Sequence, residues 1–235
     1  MTKALLFGAI GTLLETSDLQ RRAFNQAFSD AGLDWNWDEE FYQAQLVEPG
    51  GRDRVNRIAA ERGETVDAAE LHRLKTVHFG KALAEGNHQP RTGVLDMLRH
   101  AREQGWKTGF VTTTSRDNID SVLAAIGNTI TREDFDFIGS RDRVDAGKPA
   151  PDIYQLALQE LGVDAGSAIA IEDSQSGVEA ANAAGIRCIA FPGANTKNQD
   201  YSKAAWVTDV LHPDQLQHAL TASRADISQD FGKPA

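Results

Sequence analysis

The amino-acid sequence predicts an α/β fold in which a parallel β-sheet is flanked by helices and carries an inserted, all-helical cap. Short, continuous apolar runs alternate with amphipathic helical patterns, which is typical of a parallel sheet covered on both faces. Residues 17–87 interrupt this alternation, because they contain helical patterns and no strand-like run. A sheet core with one helical insertion therefore accounts for the whole pattern.

The sheet is predicted from apolar runs that are continuous rather than alternating. The predicted strands are Ala4–Phe7, 109–111, 168–171 and 188–191, with 135–138 as a candidate further strand. The predicted helices of the core are 94–104, 118–125, Asp152–Leu161 and 178–184. Gly105, Gly162 and Gly185 follow three of these helices, where glycine commonly ends a helix. The short connections favour parallel strands joined by helices.

The cap is predicted from four helical patterns that follow the first strand. They span residues 19–31, 38–45, 52–62 and 68–84. We assign residues 17–87 to the cap, and residues 1–16 and 88–222 to the core. Residues 223–235 are predicted to form a polar C-terminal tail, because they carry few large apolar side chains that would hold them to a core.

Composition and charge narrow the classes of function. Hydrophobic residues make up 41% of the 235 residues and charged residues 25%, which is ordinary for a soluble globular protein. The net charge of -10 argues against a general affinity for nucleic acid or an anionic membrane. No apolar run approaches the roughly 20 residues that span a bilayer, and no basic-then-apolar leader is visible. The single cysteine, Cys188, lies in an apolar run and is predicted to be a buried thiol, so we expect a cytoplasmic protein.

Polar residues follow the predicted strands at the edge where ligands bind to open parallel sheets. Residues 112–115 form a Thr-Thr-Thr-Ser run before a helix, which favours either an anion site or a simple helix cap. Lys148 lies in a loop stiffened by two prolines, which fixes where its ammonium points; the alternative is a solvated surface lysine. Glu172 and Asp173 directly follow a strand, which predicts a hard-cation site or, alternatively, a helix cap formed by Asp173 and Ser174.

In this order, the segments resemble the motifs of the haloacid dehalogenase (HAD) superfamily. The motifs are Gly11-Thr12-Leu13 after the first strand, Val111-Thr112-Thr113-Thr114-Ser115, Lys148-Pro149-Ala150-Pro151-Asp152 and Glu172-Asp173-Ser174. The helical cap after the first strand is similar to that of the β-phosphoglucomutase and phosphoglycolate phosphatase subfamily. Within it, the chain most resembles the CbbY-like group of sugar-bisphosphate phosphatases. The resemblance implies a Rossmann-like HAD core and a phosphorylated small molecule as the ligand.

The resemblance also implies roles for individual residues. Thr112 would hydrogen-bond a phosphate, Lys148 would neutralise it, and Arg52 in the cap would close on a distal anionic group. Gln20 stands where the CbbY-like group usually has histidine. The implied ligand-binding positions are Thr112, Thr113, Asn118, Lys148, Arg52 and Gln20, and the implied metal positions are Asp173 and Glu172.

Two residues depart from the first motif of the family. Gly8 and Ile10 stand where the family has the aspartate nucleophile and the aspartate general acid and base. Neither side chain attacks phosphorus or transfers a proton, so we expect no intact catalytic residue. The loss of two carboxylates also leaves the metal site incomplete, which predicts no cofactor or weak Mg2+ binding. We expect Lys148 to face Glu172 and Asp173, and a water or ligand to lie beside Gly8. The carbonyl of Ile10 is expected to stay available to a metal.

Three functions fit these observations. The first is an inactive hydrolase homologue that binds a phosphorylated metabolite or a protein partner in a regulatory role. The second is an active Mg-dependent sugar-phosphate phosphatase or phosphomutase with a displaced nucleophile. The third is a protein-interaction module that uses an exposed aromatic patch on the cap, although the sequence favours packing of these side chains between the cap helices. The patch would consist of Trp35, Trp37, Phe41 and Tyr42. The sequence favours the first function, since the phosphate and metal positions are retained beside the missing aspartates.

Overall fold

A parallel sheet forms the centre of the structure, a computed structural model that describes residues 2–8, 10–47 and 50–221. Its strands are β1 Ala4–Phe7, β2 Lys107–Phe110, β3 Phe137–Ile138, β4 Ala168–Glu172, β5 Arg187–Ala190 and β6 Trp206–Val207. Their order across the sheet is β3-β2-β1-β4-β5-β6, and every neighbouring pair is parallel. β1 therefore lies inside the sheet, between β2 and β4.

Helices cover the sheet and form the cap. They are α1 Ile10–Leu13, α2 Ser17–Asp30, α3 Glu39–Ala44, α4 Gly51–Arg62, α5 Ala68–Glu85, α6 Val94–Glu103, α7 Arg116–Ala125, α8 Asp152–Leu161, α9 Gln175–Ala183 and α10 Asp214–Thr221. The helices α2 to α5 lie between β1 and α6 and make up the segment that we continue to call the cap. α5 packs against both α2 and α7, so it joins the cap to the core. Among the described residues, no helix combines the length and the hydropathy that crossing a membrane requires.

The predicted elements agree with the structure in kind, and their ends differ by a few residues. β1 matches the prediction at both ends. β2 begins earlier than predicted, at Lys107, because it pairs with β1 along the whole length of that strand. α1, β6 and α10 have no counterpart in the prediction, since each is too short to show a clear period. The predicted tail, residues 223–235, lies outside the described residues.

Apolar side chains cover both faces of the sheet. In β1, Leu5 and Phe7 belong to one buried cluster and Ala4 and Leu6 to the other, because successive strand residues face opposite sides. Cys188 on β5 is buried in the second cluster, which confirms the prediction of a buried thiol. With both faces closed, the carboxyl edge of the strands remains the place for a polar site.

The aromatic residues of the cap pack on one another. Trp37 contacts Phe24 and Phe28, with ring centroids 4.9 Å and 4.6 Å apart. Trp35 and Trp37 are 4% and 3% exposed, whereas Phe41 is 38% exposed. The favoured arrangement, packing between the cap helices, is therefore confirmed for Trp35, Trp37 and Tyr42, and the alternative of an exposed patch of all four residues is wrong.

Candidate functional site

The carboxyl ends of three strands bring predicted site residues together. β1 pairs with β2 on one side and with β4 on the other, so Gly8, Val111 and Glu172 lie side by side at one edge. Lys148 reaches this edge from the loop before α8, and its side chain is 8% exposed. Its ammonium donates to the carbonyl oxygens of Gly8 at 2.9 Å and Val111 at 2.7 Å, and to Glu172 Oε1 at 2.5 Å. All three ammonium protons therefore have acceptors, and the alternative of a solvated surface lysine is wrong.

The Glu172 side chain is fully buried and occupies the space beside Gly8. A Cβ atom at position 8 would lie 2.0 Å from Glu172 Cδ, and a Cβ atom at position 177 would lie 2.2 Å from the same atom. The carboxylate fits only because both flanking residues, Gly8 and Gly177, are glycines. The expectation of a water or ligand beside Gly8 is wrong, since a side chain of the protein itself fills that space.

Tyr154 is a site residue that the sequence does not predict. It lies near the start of α8 and is fully buried, so its pattern is that of an ordinary core aromatic. Its hydroxyl donates to Glu172 Oε1 at 2.6 Å. Burial, and then the Glu172 carboxylate, raise the pKa of Tyr154 well above its usual value. The phenol therefore stays a donor at neutral pH and, together with Lys148, holds Glu172 in place.

Asp173 and Glu172 each keep one buried carboxylate oxygen without a hydrogen-bond partner, Oδ1 and Oε2 respectively. Burial, and then the charge of Glu172, raise the pKa of Asp173 to about 7. Carboxylate oxygens are ligands that Mg2+ prefers, so each of these two unpaired atoms is a candidate ligand. Within the described residues, no group of three or more His, Cys, Asp and Glu side chains could hold a metal, so water would have to complete the coordination. Weak Mg2+ binding at Glu172 and Asp173 stays a prediction.

Ile10 lies in the apolar core and not in the site. Its side chain is 5% exposed and belongs to the same buried cluster as Leu5 and Phe7. Its carbonyl accepts the backbone N–H of Leu14 at 2.9 Å. A carbonyl oxygen has two lone pairs, so the availability of the second one to a metal stays a prediction.

The Thr-rich segment forms the start of α7. Ser115 Oγ accepts the N–H of Asn118 at 3.4 Å, so the helix-cap interpretation is confirmed. Thr112 is buried, its Oγ1 accepts the N–H of Thr114 at 3.2 Å, and Thr113 is half-buried in the same turn. Asn118 Nδ2 donates to Thr114 Oγ1 at 2.9 Å, whereas Asn118 Oδ1 is buried without a partner. Hydroxyl and N–H groups at the N-terminal end of a helix still favour an anion, and phosphate binding by these residues stays a prediction.

Arg52 and Gln20, the two cap residues expected to contact a ligand, do not join the Lys148 cluster. Arg52 is exposed in the first turn of α4. Gln20 accepts a hydrogen bond from Lys75 Nζ at 2.5 Å and donates to Thr16 Oγ1 at 3.5 Å. Gln20 is therefore part of a contact between α2 and α5, and the ligand-binding role of both residues stays a prediction.

Lys75 is a second residue that the sequence does not single out. It is 3% exposed on α5, and its ammonium lies 4.8 Å and 5.4 Å from the ring centroids of Phe79 and Phe24. Burial, and then the positive charge of Arg54, lower the pKa of Lys75 to about 7. Most lysines are exposed, so the burial of Lys75 becomes visible only when the cap helices are packed together.

Lys75 is expected to make the protein more stable as the pH rises from about 7 to about 9. An unfolded lysine titrates near 10.4, so in this range the unfolded chain binds a proton that the folded protein lacks. The free energy of unfolding then rises by about 1.4 kcal/mol per pH unit from this group. Urea unfolding across this range measures the slope in wild type, Lys75→Met and the control Lys81→Met, whose lysine is exposed on the same helix. The slope falls in Lys75→Met alone; equal slopes in all three proteins would contradict a buried, neutral amine.

The loop between β5 and β6 contacts the cap and the Asp173 segment at the same time. On the cap side, Gln199 Nε2 donates to the carbonyl of Leu46 at 3.0 Å. On the site side, Gln199 Oε1 accepts the N–H of Gln175, the first residue of α9, at 2.8 Å. Tyr201 in the same loop donates its hydroxyl proton to the carbonyl of Asp173 at 2.9 Å. One side chain therefore connects the position of the cap to the backbone beside Asp173.

Gln199→Ala is expected to speed amide hydrogen exchange at Gln175 roughly tenfold, because the variant removes the acceptor of that N–H. Gln43→Ala is the matched control. It removes a different contact between the cap and this loop, the 3.1 Å hydrogen bond from Gln43 Nε2 to Asn195 Oδ1. Exchange at Gln175 should stay unchanged in Gln43→Ala. The same acceleration in both variants would mean that release of the cap, and not the direct contact, exposes this amide.

Comparisons with known proteins agree with this geometry. A family model described as haloacid dehalogenase-like hydrolase matches residues 2–185. Protein CbbY of Cereibacter sphaeroides is 41% identical over 212 residues, which cover 89% of this chain and 92% of that protein. The crystal structure of a CbbY mutant from Rhodobacter sphaeroides in complex with xylulose-(1,5)bisphosphate has a TM-score of 0.81 at 40% identity, covering 89% of this chain and 95% of that chain.

A more distant structure shows the same fold. β-Phosphoglucomutase from Clostridium difficile has a TM-score of 0.77 at 20% identity and covers 94% of this chain and 97% of that chain. The parallel sheet, the helices on both of its faces and the convergence of Lys148 with Glu172 match what the sequence predicts. The chain therefore belongs to the haloacid dehalogenase-like hydrolases, as a CbbY-like member with a Rossmann-like α/β core.

Proposed function

We propose that this protein is a catalytically inactive CbbY-like homologue that binds a phosphorylated sugar at the carboxyl edge of its sheet. One observation carries the proposal: the buried Glu172 carboxylate fills the space where a side chain at position 8 would begin. Gly8 thus offers neither a nucleophile nor room for one. Ile10, at the position of the general acid and base, is apolar and buried, so it cannot transfer a proton.

The retained polar groups support phosphate binding without phosphate transfer. Lys148 supplies a positive charge, and Thr112 with the first N–H groups of α7 supplies donors that suit an anion. A phosphate would compete with Glu172 for the Lys148 ammonium. CbbY from Rhodobacter sphaeroides, which is 40% identical, has been solved with phosphate and with xylulose-(1,5)bisphosphate. A sugar bisphosphate is therefore the first ligand to test.

A magnesium ion would be held by Glu172 and Asp173, each of which keeps one unpaired carboxylate oxygen. When bound, it would neutralise charge on a phosphate group. Because the cation and the Lys148 ammonium compete for the same Glu172 carboxylate, metal binding would favour an interaction of Lys148 with phosphate. We therefore expect Mg2+ to strengthen binding of a sugar phosphate.

Location and partners belong to the same proposal. The net charge of -10 and the single buried thiol of Cys188 support a cytoplasmic protein without a nucleic-acid partner. A regulatory protein partner stays a prediction, and burial of Trp35 and Trp37 removes the aromatic patch that motivated a docking surface on the cap.

Calorimetric titration with xylulose 1,5-bisphosphate, in Mg2+ and in EDTA, tests binding, and a phosphate-release assay on the same samples tests hydrolysis. We expect saturable binding without phosphate release.

Thr112→Val should weaken binding of the bisphosphate roughly tenfold, since a hydroxyl contact is lost. Thr65→Val, at an exposed cap position, is the control. Absence of binding in the wild-type protein would contradict the ligand assignment. Multiple turnovers would contradict the proposal that the protein is catalytically inactive.

An active phosphatase with a displaced nucleophile is the second candidate, and the unpartnered Oε2 of Glu172 is its candidate nucleophile, which would have to leave its buried position to reach a substrate. Attack of this oxygen on phosphorus would form an acyl phosphate as the bond from phosphorus to the sugar oxygen breaks, and the departing alkoxide would take a proton from solvent water. A second water would then cleave the acyl phosphate, which releases phosphate and restores the carboxylate. Hydroxylamine trapping detects such an acyl phosphate. Trapping in wild type and its loss in Glu172→Gln would establish this candidate.

A further inference from the structure

We propose that a cavity between the cap and the core binds a neutral, polyhydroxylated small molecule. The cavity has a volume of about 540 Å3 and lies between the C-terminal end of α5, the return segment 86–89 and the C-terminal half of α7. This volume falls within the range of roughly 300–1,000 Å3 that small-molecule sites occupy. The proposal does not depend on the function of the Lys148 site.

The cavity is separate from the Lys148 site because the two lie at opposite ends of α7. Ser115 caps the N-terminal end of α7, three residues after Thr112. The residues of α7 that line the cavity begin at Ser121 and continue to Ala125. At a rise of 1.5 Å per residue, the helix separates Ser115 from Ala125 by about 15 Å.

The cavity has an apolar base. Leu83 from α5 and Ile126 after α7 are its buried lining residues, and Ala124 and Ala125 add small apolar groups. The two helices approach each other closely beside it: a Cβ atom at Gly80 would lie 3.3 Å from Ser121 Oγ. An apolar base with polar groups around it is the usual composition of a ligand site, and it suits the C–H face of a sugar or polyol.

Most of the polar groups around the cavity are neutral, and His88, which lies 3.4 Å from the carbonyl of Ala82 through Nε2, is its one titratable lining residue. Asn87, Gln89 and Asn128 line it with exposed side-chain amides that make no hydrogen bond to the protein within the described residues and are therefore free to contact a ligand. Each amide offers two donors and an acceptor. The hydroxyls of Ser121 and Thr129 donate to backbone carbonyls at 2.8 Å and 2.9 Å, which leaves their oxygens as acceptors.

The scarcity of charged side chains decides the class of ligand. Among the lining residues there is no Asp, Glu, Lys or Arg, although these types make up 25% of the chain. A phosphate or a carboxylate would find no lysine or arginine here and only the imidazole of His88, whereas hydroxyl groups match the mixed donors and acceptors. Since α5 belongs to the cap and α7 to the core, an occupant would touch both and favour one orientation of the cap.

Saturation-transfer NMR with xylitol, D-glucose and sucrose tests the proposal. We expect saturable binding of at least one of them, and affinity that falls about tenfold or more in Ala124→Trp, where an exposed wall residue is replaced by one that fills the cavity. Ala60→Trp, at an exposed helical alanine of α4, should bind as wild type does. Asn128→Asp provides a second variant, since it keeps the size of the side chain and adds a charge that should weaken binding.

Inorganic phosphate in excess should leave polyol binding unchanged, because the Lys148 site and the cavity are separate. Binding that survives both Ala124→Trp and Asn128→Asp would overturn the proposal. Displacement of the polyol by phosphate would overturn it as well, and so would the absence of saturable binding by all three probes in the wild-type protein.

Discussion

Gly8→Asp is expected to destabilise the metal-free protein by about 3–5 kcal/mol. The new Cβ atom would lie 2.0 Å from Glu172 Cδ, so the Glu172 carboxylate has to leave its position. It then loses the hydrogen bonds from Lys148 and Tyr154, and two carboxylates compete for one ammonium. Urea unfolding in EDTA measures the loss. Gly166→Ala is the control, because a Cβ atom there meets no other atom within 4 Å.

Mg2+ is expected to recover part of the stability of Gly8→Asp, since a cation binds the added carboxylate together with Glu172 and Asp173. Adding Ile10→Asp should deepen the loss in EDTA, because it places a carboxylate in the apolar core. Equal stability of Gly8→Asp and wild type in EDTA would contradict the position of Glu172. An identical response of both proteins to Mg2+ would contradict the metal site.

The convergence of the site was predictable because it follows from topology. Lys148 and Glu172 come from loops and strand ends that a parallel sheet places at one edge, whatever the side-chain conformations are. The conformation of Glu172 was not predictable. It depends on Gly8 in one part of the chain and Gly177 in another, and no local pattern reports that two glycines flank the same carboxylate.

In the cap, too, the helices can be predicted from the sequence but the side-chain contacts between them cannot. Its helices were predictable because their apolar residues recur with a helical period. The burial of Lys75 depends on the aromatic rings of α2 and α5 and on the amide of Gln20, so it appears only once the helices are packed. The first cap helix also begins differently from the usual pattern: the N–H of Ser17 is accepted by the Glu15 carboxylate at 2.9 Å, and Thr16 makes no side-chain cap.

Lys148→Met is expected to destabilise the protein by about 3–5 kcal/mol, because it leaves the buried Glu172 carboxylate without its cation. Two carbonyl oxygens, of Gly8 and Val111, lose a donor as well. Adding Glu172→Gln should restore about 2 kcal/mol, since a neutral amide keeps the shape of the side chain and removes the unpaired charge. The destabilisation that remains in the double variant measures the loss of the hydrogen bonds from Lys148 to the two carbonyl oxygens.

Urea unfolding of wild type, both single variants and the double variant gives the coupling energy between Lys148 and Glu172. Lys197→Met, which removes an exposed ammonium, controls for the change in net charge. A coupling of about 2 kcal/mol means that the pair acts as one neutral unit inside the site, in the place where the family has a nucleophile. Additive single-variant effects would mean that Glu172 is hydrated and free to move, and the space beside Gly8 would then be open to a ligand.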